Sequence, residues 1–161
     1  MLAAELAAAY PGRFTRLALI APLGLWRDDT PVSNWMTVPS GQLSALFFAN
    51  PDSEAARAMF ATPDDQEAAI SAGVGLIWAL GCTGKFLWPL PEKGLAKRLH
   101  RVSAPTLIIW GEHDHLIPSG YASEFAHRIP GSHVVLIPEA GHTPQLEHLD
   151  ATYAAVASFL R

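Results

Sequence analysis

The chain has 161 residues, 50% of them hydrophobic and 16% charged, with 13 prolines, 12 glycines and a formal net charge of −4. That length points to one domain whose core, at roughly 150 residues, buries about 70% of the surface exposed by the unfolded chain. A charged fraction well below the roughly 25% of average chains, with no basic excess, excludes a disordered tail and a nucleic-acid binder. One cysteine, Cys82, excludes an internal disulfide and a cysteine-based zinc site, and fits a reducing, cytoplasmic setting.

Residues 1–10, rich in alanine and leucine, predict a helix that Pro11-Gly12 stops. The segment lacks a positive leading stretch and carries Glu5, so it does not read as a signal peptide. No uninterrupted apolar run reaches the roughly 18 residues of a membrane span, which predicts a protein with no membrane partner. Arg16 to Pro22 is a short apolar run between breakers, the pattern of a fully buried strand. Thr106 to Trp110 and His133 to Ile137 repeat that pattern. Between them, Tyr121, Phe125 and Ile129 have helical spacing, and residues 144–160 predict one closing helix with Pro144 in its first turn. Strands alternating with helices predict a parallel sheet covered on both faces.

The stretch from about Leu25 to His100 has a different texture. Short helical segments, Asp52 to Ala61 and Asp64 to Leu80, are separated by prolines and glycines, and aromatic residues are scattered through it. It reads as a helical subdomain with its own core, as a cap whose aromatic side chains line an apolar pocket, or as both.

Two segments carry the chemistry. Gly111-Glu-His-Asp-His-Leu-Ile-Pro118 follows the second predicted strand, and Glu139-Ala-Gly-His-Thr-Pro-Gln-Leu-Glu147 follows the third. In open parallel sheets, ligands bind at the carboxyl ends of the strands, where Asp114 and His142 both fall. A carboxylate holding one ring nitrogen of a histidine leaves the other free as a general base. Gly141 is expected to supply an unusual backbone angle before the histidine. Glu139 and Glu147 read as structural, capping or salt-bridging. His113, Asp114, His115 and His142 give a competing zinc-site reading.

The pairing of Gly-Glu-x-Asp-x-x-x-Pro with Gly-His-x-Pro-x-x-Glu, in this order, resembles the end of an α/β-hydrolase. The opening helix and strand resemble the segment that follows that family's nucleophile turn. Residues 85–100 resemble the end of the cap in esterase-like and carbon–carbon-bond hydrolase members. The resemblance implies an α/β fold: three parallel strands with flanking helices, the C-terminal part of an α/β-hydrolase, with an inserted helical cap. Residues 1–24 and 101–161 would be the partial core and 25–100 the cap. Asp114 matches the family's triad acid and His142 its base, in the family's chain order. The resemblance further implies hydrolysis of a carboxylic ester or related acyl bond, a small apolar substrate and no cofactor. Trp35, Phe47, Phe48, Trp78 and Trp88 are the expected pocket lining.

The sequence departs from the family at the nucleophile. No serine has glycine two positions before and two after it, and Cys82 has Leu80 before it. That departure predicts a shortened reading frame with weak or absent catalysis, and an exposed edge at residues 17–21 that self-associates or takes a complementing strand. It leaves open the aspartate-nucleophile members, epoxide hydrolases and dehalogenases, and a non-catalytic small-molecule-binding or interaction module.

Overall fold

The structure, a computed structural model, describes residues 1–87 and 93–161. The first helix, α1, spans Leu2–Ala9, and the first strand, β1, spans Leu17–Ile20. The insertion follows, with three α-helices: α2 (Leu43–Phe47), α3 (Glu54–Phe60) and α4 (Gln66–Leu87). Ser53 caps α3 by accepting the Ala56 amide at 3.2 Å. Two single turns, Leu95–Lys97 and Leu99–Arg101, return the chain to strand β2 (Thr106–Gly111). Helix α5 (Gly120–Arg128), strand β3 (His133–Ile137) and helices α6 (Pro144–Glu147) and α7 (Leu149–Leu160) complete the order.

The three strands form one parallel sheet in the order β1-β2-β3. Leu17 sits opposite Thr106, and Leu107 opposite His133. The central strand β2 is buried along its whole length. Its alternate side chains define two cores, as the two-residue period of a strand requires. Ile108 and Trp110 join Leu17, Leu19, Ala4, Ala7, Tyr121 and Phe125 on the face covered by α1 and α5. Leu107 and Ile109 join Ile137, Val135, Val156 and Phe159 on the face covered by α7. The α1 face is lined by alanines one turn apart, which lets the helix backbone approach the sheet closely.

Among the described residues, most buried side chains of the insertion share the first of these cores with the sheet, Phe48 and Ala56 lying outside it. Leu25, Val32, Trp35, Leu43, Leu95 and Leu99 all belong to it. Tyr121 fastens the start of the insertion to α5: its hydroxyl accepts the Arg27 amide at 2.8 Å and donates to the Thr30 carbonyl at 3.0 Å. Burial holds the Tyr121 phenol above its ordinary pKa of 10.0.

Three expectations are corrected. The outer strands are not covered on both faces: β1 alternates buried and exposed positions, and Val134 and Leu136 of β3 are exposed. On one side α1 packs on β1 and α5 on β2 and β3; on the other α7 packs on β2 and β3. The closing helix is broken at His148, whose φ of −136° and ψ of 65° are not helical. At the break the Pro144 carbonyl accepts both the His148 amide at 2.8 Å and the Thr152 hydroxyl at 3.0 Å, which ties the two segments together. Finally, α4 is longer than its sequence pattern suggests and largely exposed, with Ile77 and Trp78 72% and 74% accessible. Its mean hydropathy of 1.4 over 18 residues makes it long and apolar enough, by length and composition alone, to cross a membrane. Ser71, Gly73, Gly75 and Gly81 interrupt its apolar residues, so no unbroken run announces it.

Candidate active site

Both loops that hold the candidate residues leave the carboxyl ends of adjacent strands, β2 and β3. The acid loop begins at Gly111, and its backbone is fixed to the histidine loop twice. Glu112 donates to the Ile137 carbonyl at 3.1 Å, and His113 to the Ala140 carbonyl at 2.8 Å. The approach is so close that a Cβ on Gly111 would lie 2.0 Å from the Gly141 carbonyl oxygen. Glycine is required there by space.

Asp114 is 5% exposed and fully hydrogen-bonded. Its Oδ1 accepts the Leu116 and Ile117 amides at 2.9 and 2.8 Å, and its Oδ2 meets His142 Nδ1 at 2.8 Å. Two backbone donors at one oxygen fix the carboxylate's orientation. Trp110 Nε1 donates to the Ile117 carbonyl at 3.0 Å, which closes the acid loop onto the core. A carboxylate at Nδ1 selects the tautomer with its proton there and leaves Nε2 able to accept one. The His142 side chain retains 18% exposure. Among the described residues, Nε2 has no hydrogen-bond partner.

Gly141 does not adopt the unusual backbone angle expected of it; the non-glycine residue at positive φ in this loop is Glu139, at 56°. Gly141 is instead required by packing, since a Cβ would meet the Ala49 nitrogen at 2.6 Å and the Phe48 carbonyl carbon at 2.8 Å. The insertion thus sits directly against the histidine loop. It holds the acid loop as well: Ser33 donates its amide to the Leu116 carbonyl at 3.0 Å and its hydroxyl to the His115 carbonyl at 3.0 Å. No spacing or composition signal marks Ser33, because its partners are distant backbone atoms.

The expected pocket aromatics are dispersed. Phe47 lies edge-on to the His142 ring, with centroids 5.5 Å apart. Trp35 and Phe48 are buried, and Phe48 packs edge-on to Phe60. Trp78 projects into solvent. Trp88 lies outside the described residues. An open depression of about 570 Å³ does lie beside α3 and α6, lined by Ser53, Glu54, Glu139, Glu147 and His148 among others, but Asp114 and His142 do not line it. The four residues of the zinc reading do not converge: His113 faces Glu139 at 3.6 Å while His142 faces Asp114. Among the described residues no three histidine, cysteine or carboxylate side chains are grouped to hold a metal ion.

A buried aspartate thus holds a histidine at neighbouring strand ends of a parallel sheet. The chain belongs to the alpha/beta hydrolase fold family, whose model matches residues 25–149. It is similar to a 2-hydroxy-6-oxononadienedioate/2-hydroxy-6-oxononatrienedioate hydrolase of Klebsiella pneumoniae, 38% identical over 63 residues, which are 39% of this chain and 22% of the relative. Similarity to a 2-hydroxy-6-oxo-6-phenylhexa-2,4-dienoate hydrolase of Burkholderia cepacia is 31% over 72 residues, 45% of this chain and 25% of the relative. Among solved structures, a meta-cleavage product hydrolase from Pseudomonas fluorescens IP01 superposes with a TM-score of 0.68 at 22% identity, covering 99% of this chain and 60% of that one. A bacterial membrane phospholipase A superposes with a TM-score of 0.74 at 20% identity, covering 99% of this chain and 53% of that one. These two likenesses establish the shared fold. The chain spans little more than half the length of the solved structures, and its matches to the curated relatives cover about a quarter of theirs.

Proposed function

We propose that Asp114 and His142 are the acid and base of a hydrolase site acting beside a carbonyl, completed by a nucleophile from a segment that these 161 residues do not contain. The supporting observation is the 2.8 Å contact between His142 Nδ1 and the buried Asp114 carboxylate, with Nε2 left open. In this reading Nε2 takes the proton of the attacking group and later returns it to the leaving group. Asp114 holds the ring and stabilises its protonated form without itself taking the proton. The insertion acts as a cap, with Phe47 forming the wall nearest the base.

The sequence by itself favours an ester. The relatives shift the proposed substrate to a carbon–carbon bond beside the ketone of a 2-hydroxy-6-oxo-dienoate, because hydrolases named for such compounds are 31–38% identical to this chain over 63 to 72 residues. The open edge of β1 is the proposed site for the complementing strand. Leu17 donates its amide to the Pro105 carbonyl just before β2 and Ala21 to the Ile109 carbonyl of β2, so the amides of Ala18 and Ile20 point to the free side.

The test is co-expression with an amino-terminal fragment of a dienoate hydrolase that carries its nucleophile turn. Turnover of a 2-hydroxy-6-oxo-dienoate should appear only with both pieces, exceed that of a short nitrophenyl ester, and vanish in His142→Ala. The 161-residue chain alone should show no more than background, since losing a triad member costs on the order of a million-fold. Ordinary enzymatic rates from the chain alone, or activity unaffected by His142→Ala, would contradict the proposal.

A further inference from the structure

We propose that Glu147 is the positioning residue of the Asp114–His142 pair, fastening the histidine loop to the cap segment Phe47–Ala49. The inference rests on the reading of His142 as the base. Its first support is the division of one carboxylate between two chain segments. Oε1 accepts the Gly141 amide at 2.8 Å and the Thr143 hydroxyl at 3.3 Å, while Oε2 accepts the Ala49 amide at 2.7 Å. Gly141 and Thr143 flank His142 on either side. The local fold makes this reach possible: α6 starts immediately after Thr143, so residue 147 comes back over the loop within one turn.

The second support is that the same two segments meet through contacts that Glu147 does not make. His142 donates its amide to the Phe47 carbonyl at 2.9 Å, the Thr143 hydroxyl reaches that carbonyl at 3.3 Å, and the Phe47 ring stands edge-on to the imidazole. The carboxylate therefore closes a ring of hydrogen bonds around His142, with the cap on one side and the strand end on the other. The described residues place no lysine or arginine within ion-pair distance of Glu147. Its charge is met by neutral donors, and charge-assisted bonds of this kind are about twice as strong as neutral ones. Glu147 is thus neither the helix cap nor the ion-pair partner that its place in the sequence suggests.

Removing the carboxylate leaves the Gly141 and Ala49 amides without acceptors, and the loop is then free to turn the ring away from Asp114. Glu147→Gln keeps one acceptor oxygen and sets an NH₂ donor against the other amide, so it holds one anchor and loses the second.

The experiment is long-range ¹H–¹⁵N correlation of the histidine rings in the 161-residue chain, with amide hydrogen exchange. In the unmodified protein, His142 should be a single Nδ1–H tautomer with a low-field proton that Asp114→Asn removes. Glu147→Ala should replace that signature with a mixture of tautomers and speed exchange of the Gly141 and Ala49 amides at least about tenfold. The β2 amides of Ile108 to Trp110 should keep their protection. If Glu147→Ala does not fold, Glu147→Gln is read in the same way, and exactly one of the two amides should lose protection. A purely structural role would lower overall stability yet leave the tautomer fixed in folded molecules, and that outcome overturns the positioning role while the pair stands. A His142 without a fixed tautomer in the unmodified protein overturns both the pair and its positioning.

Discussion

Gly111→Ala is the sharpest probe of how the two loops are joined. The added methyl would lie 2.0 Å from the Gly141 oxygen, 2.4 Å from the Ala140 oxygen and 2.7 Å from the Ala140 carbonyl carbon. All three are backbone atoms, so no side chain can swing aside, and the histidine loop must retreat by about 1 Å or more to reach even a tight contact. Retreat stretches the 2.8 Å bond from His113 to Ala140 and the 3.1 Å bond from Glu112 to Ile137. Overpacking costs about 1–3 kcal/mol and each of the two weakened hydrogen bonds about 1 kcal/mol, for a total of roughly 3–5 kcal/mol. Urea unfolding followed by tryptophan fluorescence measures this loss, and the His142 ring signals should show the contact with Asp114 weakened. A loss below about 0.5 kcal/mol, with the His142 signals unchanged, would refute the claim that the loops touch through backbone alone.

Two further perturbations follow from the same geometry. Tyr121→Phe removes bonds to Arg27 and Thr30 and should cost about 1–2 kcal/mol in urea unfolding. Because burial raises the phenol's pKa, the folded protein keeps a proton that the unfolded chain releases, so this residue's contribution is intact below pH 10.0 and is lost as pH rises further; the variant should lack that part of the alkaline loss in thermal melts. Ile20→Lys places a charge on the 37% exposed edge residue of β1 and should shift sedimentation at micromolar concentration toward monomer. A parent chain that is already monomeric and monodisperse would remove the basis for edge pairing.

The alternation of apolar runs with helical spacing was enough to place β1, β2, β3, α1 and α5 in order, because strand and helix periods are local properties of the chain. The two motifs likewise identified Asp114 and His142, since a carboxylate and a histidine after successive parallel strands fall at the same end of the sheet. Burial of the outer strands was not legible. Val134 and Leu136 have the composition of covered residues, yet on β3 at the edge of the sheet both are exposed. The break at His148 was also invisible, because nothing in residues 144–160 forbids a continuous helix and the Thr152 hydroxyl that ties the two segments bonds to a carbonyl in the segment before.

What the sequence by itself determined is the strands of the sheet with helices α1 and α5, the family, and the acid and histidine that the structure pairs, all of which depend on residue type and spacing. Only the tertiary structure decided how that pair is held. The glycines at 111 and 141 are required by distances to backbone from other segments, and Ser33, Phe47 and Glu147 act on atoms far along the chain. Such contacts form when the insertion folds back over the strand ends, and no short-range pattern encodes them.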